Sequence, residues 1–219
     1  MATVTLSEML TELRARGGYR RSTSLTDAVL TPFLNSGIAE VHDLVCRHSP
    51  GSVVTSTDLV TVPGSPTVNL PTRFYKSRLV QLVDGTSVTR LRRYELEEEG
   101  DLDGVTAWDA GCGAGELRYL VQAGTLRLVP TPTAAHTIRL WYLPTATEID
   151  VAPGTYTGTK GQLDLVYAHA LRDCKVRDRQ STLEQDQAIA KLEKRLVFAF
   201  DGRDDSEPEY LADHGRAYS

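Results

Sequence analysis

One segment of the chain spaces its glycines as in turns that hold a cofactor. Over residues 108–116, Asp109 is followed by Gly111, Gly113 and Gly115 at alternate positions. Glycines in such a turn let the backbone approach a cofactor closely where a strand leads into a helix. In that setting the segment would belong to an enzyme that binds a diffusible cofactor.

The spacing of Asp109 and the three glycines resembles motif I of the class I S-adenosylmethionine-dependent methyltransferases, but the following sequence does not continue the pattern. That fold needs a carboxylate about 20 residues farther on to hold the ribose hydroxyls, and no Asp or Glu lies between Glu116 and Glu148. The run LRYLVQAGTLRLV predicts a hairpin with Gly124 in its turn, not a crossover helix. We therefore expect 109–115 to be a glycine-rich loop that binds no cofactor, with a methyltransferase as the alternative.

The histidines and cysteines lack the spacing of a metal or nucleophile site. The cysteines are Cys46, Cys112 and Cys174. Because they are odd in number and form no C-x-x-C pair, we expect neither a disulfide framework nor a thiolate zinc site. His42 and His48 are six residues apart, and His169 precedes Cys174 by five without a visible residue to orient it as a base. The histidines are predicted to be structural, so we predict no catalytic residue, no metal and no cofactor.

Composition excludes several classes of protein. The chain has 219 residues, 41% of them hydrophobic and 24% charged, with a net charge of −5 and a pI near 5.6. An acidic chain is not a general nucleic-acid binder, although DNA could still slide past it. The first ten residues have no basic start and no long apolar run, so no signal peptide is expected. No apolar stretch approaches the ~18 residues of a membrane span, and a reducing cytosolic environment is predicted.

Two helices are predicted before residue 50. Thr5 and Glu8 have the spacing of a capping box, and Gly17 and Gly18 are expected to end the first helix. The second spans roughly 26–48 on one apolar stripe. Pro32 is unfavourable inside a helix. Either the helix kinks there, or Thr31 caps a shorter helix with Pro32 at its first position.

From about 52 to 145 the pattern is that of β-structure. Thr and Val dominate, and Gly and Pro separate the apolar runs. The predicted strands are 53–62, 78–83, 117–121, 125–129 and 137–143.

Helical periodicity returns after Thr159. Leu163, Val166, Ala170 and Cys174 repeat at helical spacing. A further helix is expected from about 181 to 200, with Gly202 as its stop. These patterns predict an α+β fold: a bundle of about four helices, two N-terminal and two C-terminal, with an antiparallel β insert and an extended C-terminal tail.

The domain boundaries follow from these elements. The predicted helical bundle comprises 1–50 and 160–202, the antiparallel β domain 51–159, and the C-terminal arm 203–219. The arm is acidic and interrupted by Pro208, so it is expected to be disordered alone. Three large apolar or aromatic residues nevertheless lie in it, and these are the predicted docking residues for a partner protein or a neighbouring subunit. They are Tyr210, Leu211 and Tyr218.

Two charge clusters adjoin one another in the β region. Arg90, Arg92 and Arg93 are followed at once by the acidic run 95–103. The cluster is either a solvated loop or a polar surface facing another subunit or a channel lumen.

The order of motifs along the chain resembles the phage head–tail connector or adaptor family. Residues 25–27 (LTD) with 33–44 (FLNSGIAEVHDL) look like that family's second helix, and 70–76 (LPTRFYK) like the entry to its β region. Residues 126–132 (LRLVPTP) and 138–144 (IRLWYLP) look like its hairpin end. None of these motifs contains residues for catalysis. The resemblance rests on their order and spacing, and it covers about residues 5–200.

The resemblance implies a structural protein of the virion neck, not an enzyme. Such a subunit would form a homo-dodecamer beneath the portal protein, contact downstream tail or neck proteins, and extend the DNA channel used in genome retention and ejection. Packaged DNA would pass without sequence-specific binding, and no membrane would be involved. The subunit would occupy the host cytoplasm during assembly. Another tail-completion protein is the further alternative.

Overall fold

A computed structural model describes residues 2–19, 24–95, 118–151 and 154–204. The chain divides into two compact units, which are described separately. The helical unit comprises residues 1–49 and 146–219, and the β unit comprises residues 50–145.

The helical unit begins with strand β1 (Ala2–Thr5) and helix α1 (Leu6–Gly17). The predicted capping box is confirmed: Thr5 Oγ1 accepts from the Glu8 amide, and the Glu8 carboxylate accepts from the Thr5 amide at 2.8 Å. The predicted end is also confirmed, because Gly18 caps the helix with φ +71°, a conformation that glycine adopts without strain.

Helix α2 (Asp27–His48) runs without a break through Pro32. The alternative of a shorter helix beginning at Pro32 is therefore wrong. Pro32 lies in the second turn, where its missing N–H removes only one intrahelical bond. The preceding residue, Thr31, donates from Oγ1 to the Asp27 carbonyl one turn earlier at 2.8 Å.

Helices α3 (Lys160–Arg177) and α4 (Leu183–Asp204) complete the helical unit. A second capping box, between Thr159 and Gln162, starts α3. The prediction that Gly202 ends the last helix is wrong, because α4 continues to Asp204, two residues into the predicted arm. Helix α3 contacts each of the other three helices.

Two features show how closely the helices pack on α3. A Cβ atom added to Gly37 of α2 would lie 2.6 Å from the Val166 carbonyl oxygen, so only glycine permits this approach. From α1, Arg16 pairs with Asp164 at 2.9 Å and lies 4.6 Å from the centre of the Tyr167 ring. Both contacts fix neighbouring helices against the second turn of α3.

A two-stranded sheet in the helical unit was not predicted. Strand β10 (Thr155–Gly158) pairs antiparallel with β1, in the register Ala2 to Gly158. The pairing joins the first residues of the chain to the segment that leads into α3.

The described part of the β unit forms two four-stranded sheets. Its strands are β2 (Thr55–Val60), β3 (Thr67–Asn69), β4 (Phe74–Asp84), β5 (Ser87–Arg90), β6 (Arg92–Arg93), β7 (Arg118–Gln122), β8 (Thr125–Val129) and β9 (Thr137–Pro144), preceded by a 3₁₀ turn at Pro50–Ser52. The strand orders are β2-β9-β4-β5 and β3-β8-β7-β6, and every pair is antiparallel except β6 with β7.

Inward side chains from both sheets share one apolar cluster. Val80, Ile138 and Leu140 of the first sheet contact the cluster that includes Leu126 and Leu128 of the second, and all five are at most 2% exposed. Alternate residues along β8 and β9 supply this core, as period-two strands require. With four helices and mostly antiparallel sheets among the described residues, the predicted α+β class is confirmed.

Candidate assembly interface

The reactive side chains of α3 lie inside the helical unit in neutral forms. Cys174 is fully buried, and burial together with the nearby Asp178 raises the pKa of its thiol to about 11. Burial and Arg172 lower the pKa of His169, so its imidazole is neutral at pH 7. A nucleophilic cysteine needs a lowered pKa, and this environment has the opposite effect.

At pH 7 the neutral imidazole of His169 also forms no ion pair. Its Nε2 lies 4.0 Å from a carboxylate oxygen of Glu193 on α4. Glu40, Glu193 and Asp173 raise its pKa, but less than burial and Arg172 lower it. The residue therefore acts as a buried polar group between helices.

The other described histidine and cysteine side chains considered from the sequence are not gathered into a metal site. His42 contacts Cys46 one turn farther along α2, with Nε2 and Sγ 3.4 Å apart, and His48 is exposed at the end of the same helix. Within the described ranges, no group of three or more His, Cys, Asp or Glu side chains is placed to hold a metal ion. No described helix is long and apolar enough to cross a membrane.

The glycine-rich segment 109–115 lies outside the described residues, as does the acidic run 95–103 apart from Glu95. The strands on either side are described. Arg92 and Arg93 of β6 pair in parallel with Arg118 and Tyr119 of β7, so the chain leaves and re-enters the sheet at adjacent positions. The exposed Arg90, Arg92 and Arg93 stand at this point of departure.

The strand after the glycine-rich segment enters a hairpin, as predicted. Strands β7 and β8 pair antiparallel from Arg118–Val129 to Gln122–Thr125. Ala123 and Gly124 form the turn with φ values of +46° and +77°, as expected for a two-residue hairpin loop. A nucleotide-binding turn would instead lead into a crossover helix.

The helical unit has an exposed groove between α2 and α4. We define the α2–α4 groove by Leu44, Arg47 and His48 on α2 and by Lys194, Val197 and Phe198 on α4. The groove has a volume of about 580 Å³, within the range of about 300–1,000 Å³ typical of ligand sites.

Phe198 is the most exposed large apolar side chain of the described chain, at 80%. It departs from the buried stripe of α4 formed by Ile189, Leu196 and Phe200. Sequence periodicity alone could have identified it, because Phe198 falls between two positions of that stripe. An aromatic side chain left in water at this level is a typical anchor of a protein interface.

The groove is also predominantly basic. Arg47 donates to the backbone carbonyl of Asp43 at 3.3 Å, which leaves its charge without a carboxylate partner there. Among the described residues, Lys191, Lys194 and Arg195 make no ion pair. Glu193 is the one acidic residue of the lining, and it lies towards His169. The groove lining therefore carries two basic side chains, Arg47 and Lys194, and one carboxylate beside an exposed aromatic ring.

A comparison with protein-family models identifies the family of this chain. The family model described as SU10 adaptor protein matches residues 4–212. The chain belongs to the SU10 adaptor protein family. The match confirms the predicted resemblance to phage head–tail adaptors at the level of the family, and it includes both units. No curated protein matches the chain.

The family match extends past the last described residue of this SU10 adaptor family member. Tyr210 and Leu211 fall within the matched range, whereas Tyr218 lies beyond it. All three predicted docking residues lie outside the described residues, which end at Asp204 in α4. The structure therefore locates the helix that leads into the predicted arm, and the docking role of the three residues stays a prediction.

Proposed function

We propose that the protein is a structural head-to-tail adaptor of a tailed bacteriophage, which forms a ring under the portal and extends the DNA channel. The single observation that supports this most strongly is the match to the SU10 adaptor protein family over residues 4–212. In this proposal twelve copies of the subunit form a homo-dodecamer in the virion neck. It contacts the portal protein above and tail or neck proteins below.

A ring subunit needs two different surfaces that complement one another, because a heterologous interface closes by rotation. The helical unit supplies a rigid body with an exposed basic and aromatic groove. The acidic arm after Asp204 supplies a segment of opposite charge. Packaged DNA passes through the ring without sequence-specific binding.

The proposed role is not enzymatic. Cys174 and His169 are buried and held in neutral forms, which favours packing over chemistry. The β7–β8 hairpin after the glycine-rich segment argues against a methyltransferase. Titration calorimetry with S-adenosylmethionine is expected to show no heat of binding, and a micromolar dissociation constant would restore that alternative.

Tyr210, Leu211 and Tyr218 are proposed to dock on the portal or on a neighbouring subunit after the ring forms. Aromatic side chains often carry binding energy at interfaces. Before assembly the subunit resides in the host cytoplasm. A tail-completion protein would share these features, and position in the particle distinguishes the two.

The experiment is reconstitution on the portal. Purified protein is mixed with intact cognate portal rings, and the particles are viewed in negative stain. An added ring-shaped layer is expected. Portal rings that stay bare, in a preparation where portal alone is intact, would contradict the proposal.

A further inference from the structure

We propose that the α2–α4 groove is the docking site for the acidic C-terminal segment, residues 205–219, of a second copy of this chain. The inference rests on the proposed ring and identifies a contact between neighbouring subunits that forms once the ring has assembled. Its two halves are the groove residues named above and a segment whose sequence is DSEPEYLADHGRAYS.

Charge complementarity supports the C-terminal segment of a second copy as the occupant of the α2–α4 groove. The first nine residues of the segment contain Asp205, Glu207, Glu209 and Asp213 and no basic residue. The groove offers Arg47 and Lys194, and Lys194 makes no ion pair among the described residues. Partly desolvated pairs of this kind set the register of an interface and speed its formation.

The apolar contacts are also complementary. Tyr210 and Leu211 lie between acidic residues of the segment, and Phe198 lines the groove together with Arg47 and Lys194. Docking would cover the Phe198 ring, which is 80% exposed. An aromatic pair surrounded by opposite charges is the usual composition of an interface hot spot and its rim.

The segment is long enough to reach another subunit. It begins after Asp204, at the end of α4, and 15 residues in extended form span up to about 50 Å. The groove and the segment are different surfaces of one chain, so donation from each copy to the next generates a heterologous contact that repeats around a ring. Folding back within one chain would occupy both surfaces and leave neither for a neighbour.

The test places a photo-crosslinker in the arm of the full-length chain. Tyr210 is replaced by p-benzoylphenylalanine, which keeps an aromatic ring at this position. Equal amounts of ¹⁵N-labelled and unlabelled protein are assembled on portal rings, irradiated and mapped by mass spectrometry. Links of mixed isotope composition to residues 44–48 or 193–198 are expected. The control carries the crosslinker at Tyr75, an exposed residue of the β unit, and should not label these residues.

Two substitutions measure the contribution of the groove. Phe198→Ala should lower the yield of the link about tenfold, because removing an aromatic anchor weakens a contact by that order or more. Leu183→Ala removes a similarly exposed side chain, 64% exposed, from the other end of α4 and should leave the yield unchanged. Lys194→Glu should also lower the yield, and raising the salt from about 50 to 500 mM should weaken the wild-type link through screening.

The outcomes separate the inference from the proposed function. A complete ring whose links are intramolecular, or reach the portal or another surface of α4, would overturn the arm–groove pairing and leave the ring intact. Failure of any ring to form would contradict the proposed function and the pairing that rests on it.

Discussion

Replacing Gly37 by alanine tests the close approach of α2 to α3. The added Cβ would lie 2.6 Å from the Val166 carbonyl oxygen and 3.4 Å from the His169 Cβ. The first neighbour is backbone within a helix, so it cannot rotate away, and the cost lies at the upper end of the range for overpacking, about 2–3 kcal/mol. Alanine regains about 1 kcal/mol of helix propensity. The expected net loss of unfolding free energy is about 1–2 kcal/mol.

The matched control is Gly161→Ala near the start of α3. Its added Cβ would meet only the Leu196 Cδ1 at 3.7 Å, an ordinary contact, so the same substitution should be neutral or slightly stabilising. Thermal unfolding followed by the helical circular dichroism signal measures both variants. For a chain of this size a net loss of 1–2 kcal/mol corresponds to a decrease in Tm of about 2–8 °C. If Gly37→Ala melts at or above the wild-type temperature, the described α2–α3 approach is incorrect.

Three further predictions concern the cap, the arm and His169. Thr5→Ala should lower Tm by about 2–4 °C through loss of about 1 kcal/mol of capping, whereas Thr11→Ala in exposed mid-helix should not. Deleting 205–219 should change Tm by less than about 2 °C but reduce co-sedimentation with portal rings, and unfolding of the truncated chain would show that the arm belongs to the core. Because the folded pKa of His169 lies below its ordinary 6.5, its contribution to stability is present above pH 6.5 and is lost as pH falls towards the folded pKa. The Tm of His169→Gln should therefore fall less than that of wild type between about pH 7 and 5, and parallel curves would contradict this assignment.

Local chemistry made the helix starts predictable. Thr5 with Glu8 satisfies orphan backbone groups within four residues, so a capping box can be identified without knowledge of the rest of the fold. The end of α4 was harder, because glycine disfavours a helix interior by only about 1 kcal/mol and Gly202 lies inside it.

Pairings between distant short segments could not be predicted. Strand β1 has four residues and joins β10 more than 150 positions away, and β6 has only two residues. Neither strand is long enough to show an alternating pattern. The α2–α4 groove depends on tertiary packing as well: the periodicity places Phe198 off the buried stripe, but only the fold places Arg47 beside it.

We propose that this SU10 adaptor family member forms the ring between portal and tail. A cryo-EM map of the neck of the cognate virion tests it most directly. We expect a ring of twelve copies directly beneath the portal, with the helical and β units fitted in each copy and the DNA channel running through its centre. A map in which the density between portal and tail fits no copy of this chain would contradict the account.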